Sequence, residues 1–166
     1  SPTAKKPEPK KGPKPYKEII DSTAISQKGL FTVHKIDDKY YFEIQDSLLN
    51  REIMTITRFS KTAAGGGIFG GEEVNRQVVK WEKGINNNLL LRSITYVMMS
   101  PDSTKPMALA VKNSSSDPII ANFEIKAINT KDTLHKAYVV DVTSTFDADL
   151  QTFSLSPIDK QQINIT

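Results

Sequence analysis

The chain has 166 residues, 38% of them hydrophobic and 25% charged, which is enough for one domain with a core of its own. It has no Cys, which excludes thiol catalysis, thiolate metal sites and disulfides, and leans mildly toward an exported protein. The net charge of +3 is unevenly placed. Residues 1–17 carry six Lys and one Glu, whereas the rest carries 18 acids against 16 bases with four well-separated Arg, so no basic footprint for nucleic acid exists.

Residues 1–15 contain five of the nine Pro, interleaved with Lys. Such a segment cannot bury apolar surface and reads as a disordered, solvated linker. It has no apolar leader region, so the chain reads as either a cytosolic protein or a mature exported one. No apolar run approaches the roughly 20 residues that a membrane-spanning helix needs. Tyr16–Gln27 has Tyr16, Ile19, Ile20, Thr23 and Ala24 on one helical face, with Gly29 as a stop.

From Leu30 the period becomes two. Leu30–Ile36 and Lys39–Ile44 read as a hairpin around Asp37-Asp38, followed by a capped helical turn at Asp46–Asn50 and a strand over Glu52–Ser60. Residues 16–60 therefore read as a small helix-plus-hairpin module, and 61–166 as a β-rich domain. Ala63–Gly71 holds five of the eight Gly. It lacks the Gly-Lys-Ser/Thr and the following helix of a phosphate loop, so it reads as a connection carrying one apolar anchor, Phe69. Strands follow at Val74–Glu82 and Leu89–Met99, a short helix at Pro101–Asn113, and a hairpin of Ile119–Asn129 with Leu134–Val142. A helical turn near Phe146–Leu150 and a strand-like Gln162–Thr166 complete the chain, whose end inside a strand pattern reads as a truncation. The expected fold is mainly β with short helices, an antiparallel sandwich or open barrel built from hairpins.

No catalytic constellation emerges. His34 and His135 lack a His-Glu-x-x-His context and read as solvent-facing strand residues, so no metal ligand and no cofactor is expected within these residues. The acid pairs Asp37/Asp38, Glu72/Glu73 and Asp147/Asp149 read as turn and loop solvation. Tyr40, Tyr41, Phe42 and Trp81 offer aromatic surface for a peptide or sugar, or half of a core.

Several segments, in order, carry a resemblance. They are Gly29–Lys35, Lys39–Ile44, Asp46–Ile53, Thr57–Ser60, Gly67–Glu72, Asn75–Glu82, Asp117–Ala121 and Phe153–Pro157. Together they resemble the N-terminal domains, of unknown function, of bacterial zinc-dependent metalloproteases. Gln45 and Asn50 stand where that family shows Pro and Gly. The resemblance implies an exported protein, at the cell surface as an outer-membrane lipoprotein or in the periplasm, with a lipid anchor upstream of residue 1. It places zinc and a metzincin-like catalytic domain further along the parent chain. No catalytic or metal-binding residue carries over to this segment. The expected role is a noncatalytic accessory segment that supports or shields the catalytic domain of the same parent protein. Phe69 and Trp81, with Tyr40 and Tyr41, are the candidate docking or ligand contacts. The alternative is a cell-surface module that binds peptide or glycan, or other cell-surface proteins.

Overall fold

A computed structural model describes residues 12–60, 69–96, 117–131, 135–146 and 153. Eight antiparallel strands form one curled sheet, a half-barrel. They are β1 (Ile25–Gln27), β2 (Thr32–Ile36), β3 (Lys39–Gln45), β4 (Glu52–Arg58), β5 (Glu73–Lys83), β6 (Asn88–Ser93), β7 (Ile119–Asn129) and β8 (Ala137–Asp141). Among the described residues two short helices flank them, α1 (Tyr16–Ile19) and α2 (Thr143–Phe146). The sheet order is β1-β2-β3-β8-β7-β6-β5-β4. The open-barrel expectation therefore holds.

Local chemistry sets the turns. β2 and β3 close on two residues, Asp37 and Asp38, with Ile36 opposite Lys39 and Asp37 at a φ of 51°. Aspartate tolerates this left-handed conformation better than most residues. After β3 the chain does not continue to a neighbouring strand. A 3-10 turn, Asp46–Leu48, carries it to the far edge of the sheet. Asn50 completes that crossing at a φ of 61°, a conformation otherwise favoured by glycine, and its N–H donates to the Trp81 carbonyl at 2.8 Å. From β4 onward, each strand pairs with the one before it until β8 returns to β3.

One face of the sheet holds the main core. Ile44, Leu48, Val79, Trp81, Leu89, Leu91, Phe123, Ile125, Tyr138, Val140 and Val142 form a single buried cluster. Trp81 and Phe123 meet with ring centroids 5.3 Å apart. The opposite face has a smaller cluster, Ile20, Ala127 and Val139, with Tyr16, Ile19, Ala24, Ile36 and Tyr41 packed on it. The centre of the sheet is thus covered on both sides. This is why Ala137–Val140 is buried at every position instead of alternating. In β7 a bulge between Ile125 and Ala127 turns the strand over, so that Ile125 joins one cluster and Ala127 the other.

The N-terminal helix is shorter than its periodicity predicts. It ends at Ile19, and Ile25–Gln27 is strand, not helix. Asp21 is the reason: its Oδ1 accepts the Thr23 N–H at 2.8 Å and the Thr23 hydroxyl at 2.6 Å, closing a turn that competes with helix. Four residues cannot sustain a helix on propensity alone. Tertiary contacts hold α1: Lys14 N–H donates to the Lys126 carbonyl at 2.8 Å, and Ile20 is buried. β6 ends at Ser93, short of the predicted Met99. The predicted helix over Pro101–Asn113, the strand over Gln162–Thr166 and most of the Gly-rich segment lie outside the described residues.

Candidate functional site

Two features built from the β2–β3 hairpin stand out, one on each face of the sheet. The first is a cleft of about 520 Å³ lined by Lys35, Asp38, Tyr40, Phe42, Val142, Thr143 and Phe146. Lys35 and Tyr40 are cross-strand partners, which places the Lys35 ammonium 5.6 Å from the Tyr40 ring centroid. α2 is fixed to the hairpin by its first residue. The Thr143 Oγ1 accepts the Tyr40 N–H at 2.9 Å and donates to Asp141 Oδ1 at 2.7 Å, while Val142 N–H donates to the Tyr40 carbonyl at 2.9 Å.

These bonds bring Phe146 over Phe42, with centroids 5.3 Å apart. Phe31 lies against Phe42 at 4.7 Å, and Phe153 stacks on Phe146 at 5.5 Å. The result is an aromatic wall with Tyr40 and Phe146 open to solvent, at 42% and 46% exposure. An apolar floor with a cation and a carboxylate at its rim suits an extended peptide, whose side chain would stack while its polar groups reach the rim.

The second feature lies on the face under α1. Glu43 Oε2 accepts from the Tyr16 hydroxyl at 2.7 Å and meets His34 Nε2 at 2.9 Å, while its Oε1 accepts from Asn129 Nδ2 at 2.7 Å. The other ring nitrogen of His34, Nδ1, lies 2.7 Å from the Ser26 hydroxyl. His34 is 4% exposed. This corrects the solvent-facing reading of His34: α1 and β1 cover the face on which it lies. Burial alone would raise the Glu43 pKa, but hydrogen bonds from Tyr16, Asn129 and His34 outweigh it and hold the carboxyl below its ordinary range. The Tyr16 phenol is pushed well above its usual value, by burial first and by Glu43 second.

Ser26, His34 and Glu43 are joined in the order of a hydrolase relay, but they are built as a joint. The carboxylate is shared among α1, β2 and β7, and neither Ser26 nor His34 lines the cleft. Both nitrogens of His34 are engaged, and among the described residues no group of three or more His, Cys, Asp or Glu could hold a metal ion. These residues do not fit a zinc site.

The four candidate contact residues do not come together. Tyr40 lines the cleft. Tyr41 is on the other face, in the cluster beneath α1, where burial and Asp141 raise its pKa. Trp81 is a core side chain at 2% exposure, out of reach of a surface partner. Phe69 is 71% exposed at the β4–β5 turn, remote in the sheet order from the β2–β3 hairpin. Phe146 and Lys35 complete the cleft, and neither is marked by a local sequence pattern. Glu43 is marked by one, as a carboxylate inside the apolar run Tyr40–Ile44.

An open antiparallel half-barrel, with a surface cleft at one end and a polar joint at its back, defines the chain as a β-rich domain. Residues 13–62 match Domain of unknown function (DUF5118), and residues 71–166 match Domain of unknown function (DUF5117). The second match spans more than half of the chain, and the chain belongs to that family. No curated protein and no solved structure matches it. The strands of the two matched regions share one sheet. Residues 13–62 supply β1, β2 and β3 at one end and β4 at the other, with β5–β8 between them. Among the described residues no helix is long and apolar enough to cross a membrane.

Proposed function

We propose that this chain is a noncatalytic accessory segment of an exported, zinc-dependent metalloprotease, and that it docks onto the catalytic domain of the same parent protein. The ordered segments from Gly29 to Pro157 that resemble the N-terminal domains of such enzymes support this reading. So does the tandem of two domains of unknown function over residues 13–62 and 71–166. In this reading zinc belongs to the catalytic domain, and the parent is a cell-surface or periplasmic protein.

The observation that carries docking is the cleft beside Tyr40. It joins exposed aromatic surface to a cation and a carboxylate on a framework fixed by backbone hydrogen bonds. A loop or terminal strand of the catalytic domain would place an apolar side chain between Tyr40 and Phe146. Residues 1–166 mixed with a separately produced catalytic domain should co-elute. Tyr40→Ala should abolish co-elution, and separate elution of the unaltered proteins at micromolar concentrations sinks the reading.

A second reading rests on the same cleft, namely capture of peptide from outside the parent chain at the cell surface. Binding of unrelated peptides with exposed aromatic residues, lost in Tyr40→Ala and without any affinity for the catalytic domain, would favour it.

A further inference from the structure

β4 is the last strand of the sheet, and among the described strands it pairs only with β5. Its seven residues read Glu-Ile-Met-Thr-Ile-Thr-Arg, and their exposure alternates strictly from Glu52 to Arg58. Met54 is 58% exposed and Ile56 is 38% exposed, on the same face as Glu52 and Arg58. A long edge strand with an apolar outer face is a template for another strand unless something blocks it. The bulge at this end inserts its extra residue into β5, where Thr57 faces Asn75 and Arg58 faces Glu73, so β4 itself stays regular.

The sequence of β4 is complementary to itself when reversed. Antiparallel pairing of two β4 strands centred on Thr55 sets Glu52 opposite the second copy's Arg58, Ile53 opposite Thr57, Met54 opposite Ile56, and Thr55 opposite Thr55. Both charged pairs are of opposite sign, and the two Met–Ile pairs form one apolar patch of four side chains. Opposite charges and apolar pairs directly across an antiparallel ladder stabilise it, and a two-fold axis through Thr55 makes both halves of the contact identical.

The charged residues at the two ends are both exposed. Arg58 is 54% exposed at its side chain, donates to the Gly71 carbonyl at 2.9 Å and stands 4.0 Å from Glu73. Glu52 accepts a hydrogen bond from the Tyr96 hydroxyl and has no cationic partner among the described residues.

We infer that β4 is a homodimerisation edge, joining two copies of this chain through antiparallel β4–β4 pairing into one continuous sheet across a two-fold axis at Thr55. The partner is a second copy, because the charge pattern that a partner strand must carry is the one β4 itself carries. The contact is at the opposite end of the sheet from the cleft, so it is independent of docking to a catalytic domain.

The chain has no Cys, so Thr55→Cys introduces a single thiol. Under mild oxidation Thr55→Cys should give a disulfide-linked dimer, whereas Gln27→Cys on the other edge strand should not. Sedimentation of the unaltered chain from about 1 µM to about 1 mM should show a monomer–dimer equilibrium. Glu52→Arg should weaken the dimer by about tenfold or more, and adding Arg58→Glu should restore it, since like charges then become opposite again. Met54→Lys should abolish it. A monomer across the whole range overturns the inference, as does a dimer that Glu52→Arg and Met54→Lys leave unchanged.

Discussion

His34 Nε2 lies 2.9 Å from Glu43 Oε2 across the β2–β3 hairpin. The two side chains are diagonal neighbours on one face, since His34 is paired with Tyr41 and Glu43 with Thr32. This contact links the hairpin to elements that are distant in sequence: Tyr16 from α1 and Asn129 from β7 hold the same carboxylate, and Ser26 from β1 holds the far side of the imidazole. The N-terminal segment is therefore clamped to the sheet through one ionised glutamate.

Glu43→Gln should lower stability at neutral pH by about 1–3 kcal/mol, because a charged acceptor of three partly buried donors is replaced by a group that cannot satisfy all of them. The folded-state pKa of Glu43 is below its unfolded value. Its contribution is fully present above the ordinary carboxylate range and is lost as pH falls through the depressed folded value. Urea unfolding from about pH 6 down to about pH 3 should therefore show a steeper loss in the unaltered chain than in Glu43→Gln.

Tyr16→Phe keeps the ring beneath Lys131, whose ammonium lies 5.5 Å from its centroid, and removes only the hydroxyl. A loss of about 1 kcal/mol at neutral pH follows. The Tyr16 pKa is raised by folding, so its stabilisation is present below the ordinary phenol range and is lost as pH rises above it. Denaturant unfolding above about pH 10 should show this decline in the unaltered chain and a smaller one in the variant.

Trp81 and Tyr40 should separate core from surface. Trp81→Ala removes an indole that is 2% exposed and packed on Phe123, and should cost about 3–5 kcal/mol. Tyr40→Ala, on an exposed rim, should cost under about 1 kcal/mol. Thermal unfolding followed by circular dichroism distinguishes them.

Ala127 is fully buried between Ile20 and Val139 where α1 crosses the sheet. Ala127→Leu should overfill that contact and destabilise by about 1–3 kcal/mol. Hydrogen exchange should show the Lys14 and Ile20 amides, which donate to Lys126 and Tyr16, losing protection before those of β5 and β6.

The hairpin at Asp37-Asp38, the alternation of β4 and the β7–β8 pair were legible because local pattern and turn chemistry agree there. What escaped the pattern depends on the second face of the sheet. The flanking Lys35 gives His34 a solvent-facing look. α1, which lies far upstream in the chain, and β1 together bury it. The helix read over Tyr16–Gln27 misjudged Asp21, whose side chain diverts the Thr23 N–H. Trp81 and Tyr40 looked alike as strand aromatics, and only the sheet order separates a residue facing the core from one at the hairpin rim. Phe146 reaches Phe42 through the Thr143–Tyr40 contact across 103 positions, a relation no local pattern carries.

The cleft beside Tyr40 is the proposed docking surface for the catalytic domain of the same parent protein. Isothermal titration of residues 1–166 into that domain tests it most directly. Saturable binding at micromolar concentration or tighter is expected, weakened about tenfold or more by Tyr40→Ala with stability retained. No binding, or binding that Tyr40→Ala and Phe146→Ala leave untouched, would contradict it.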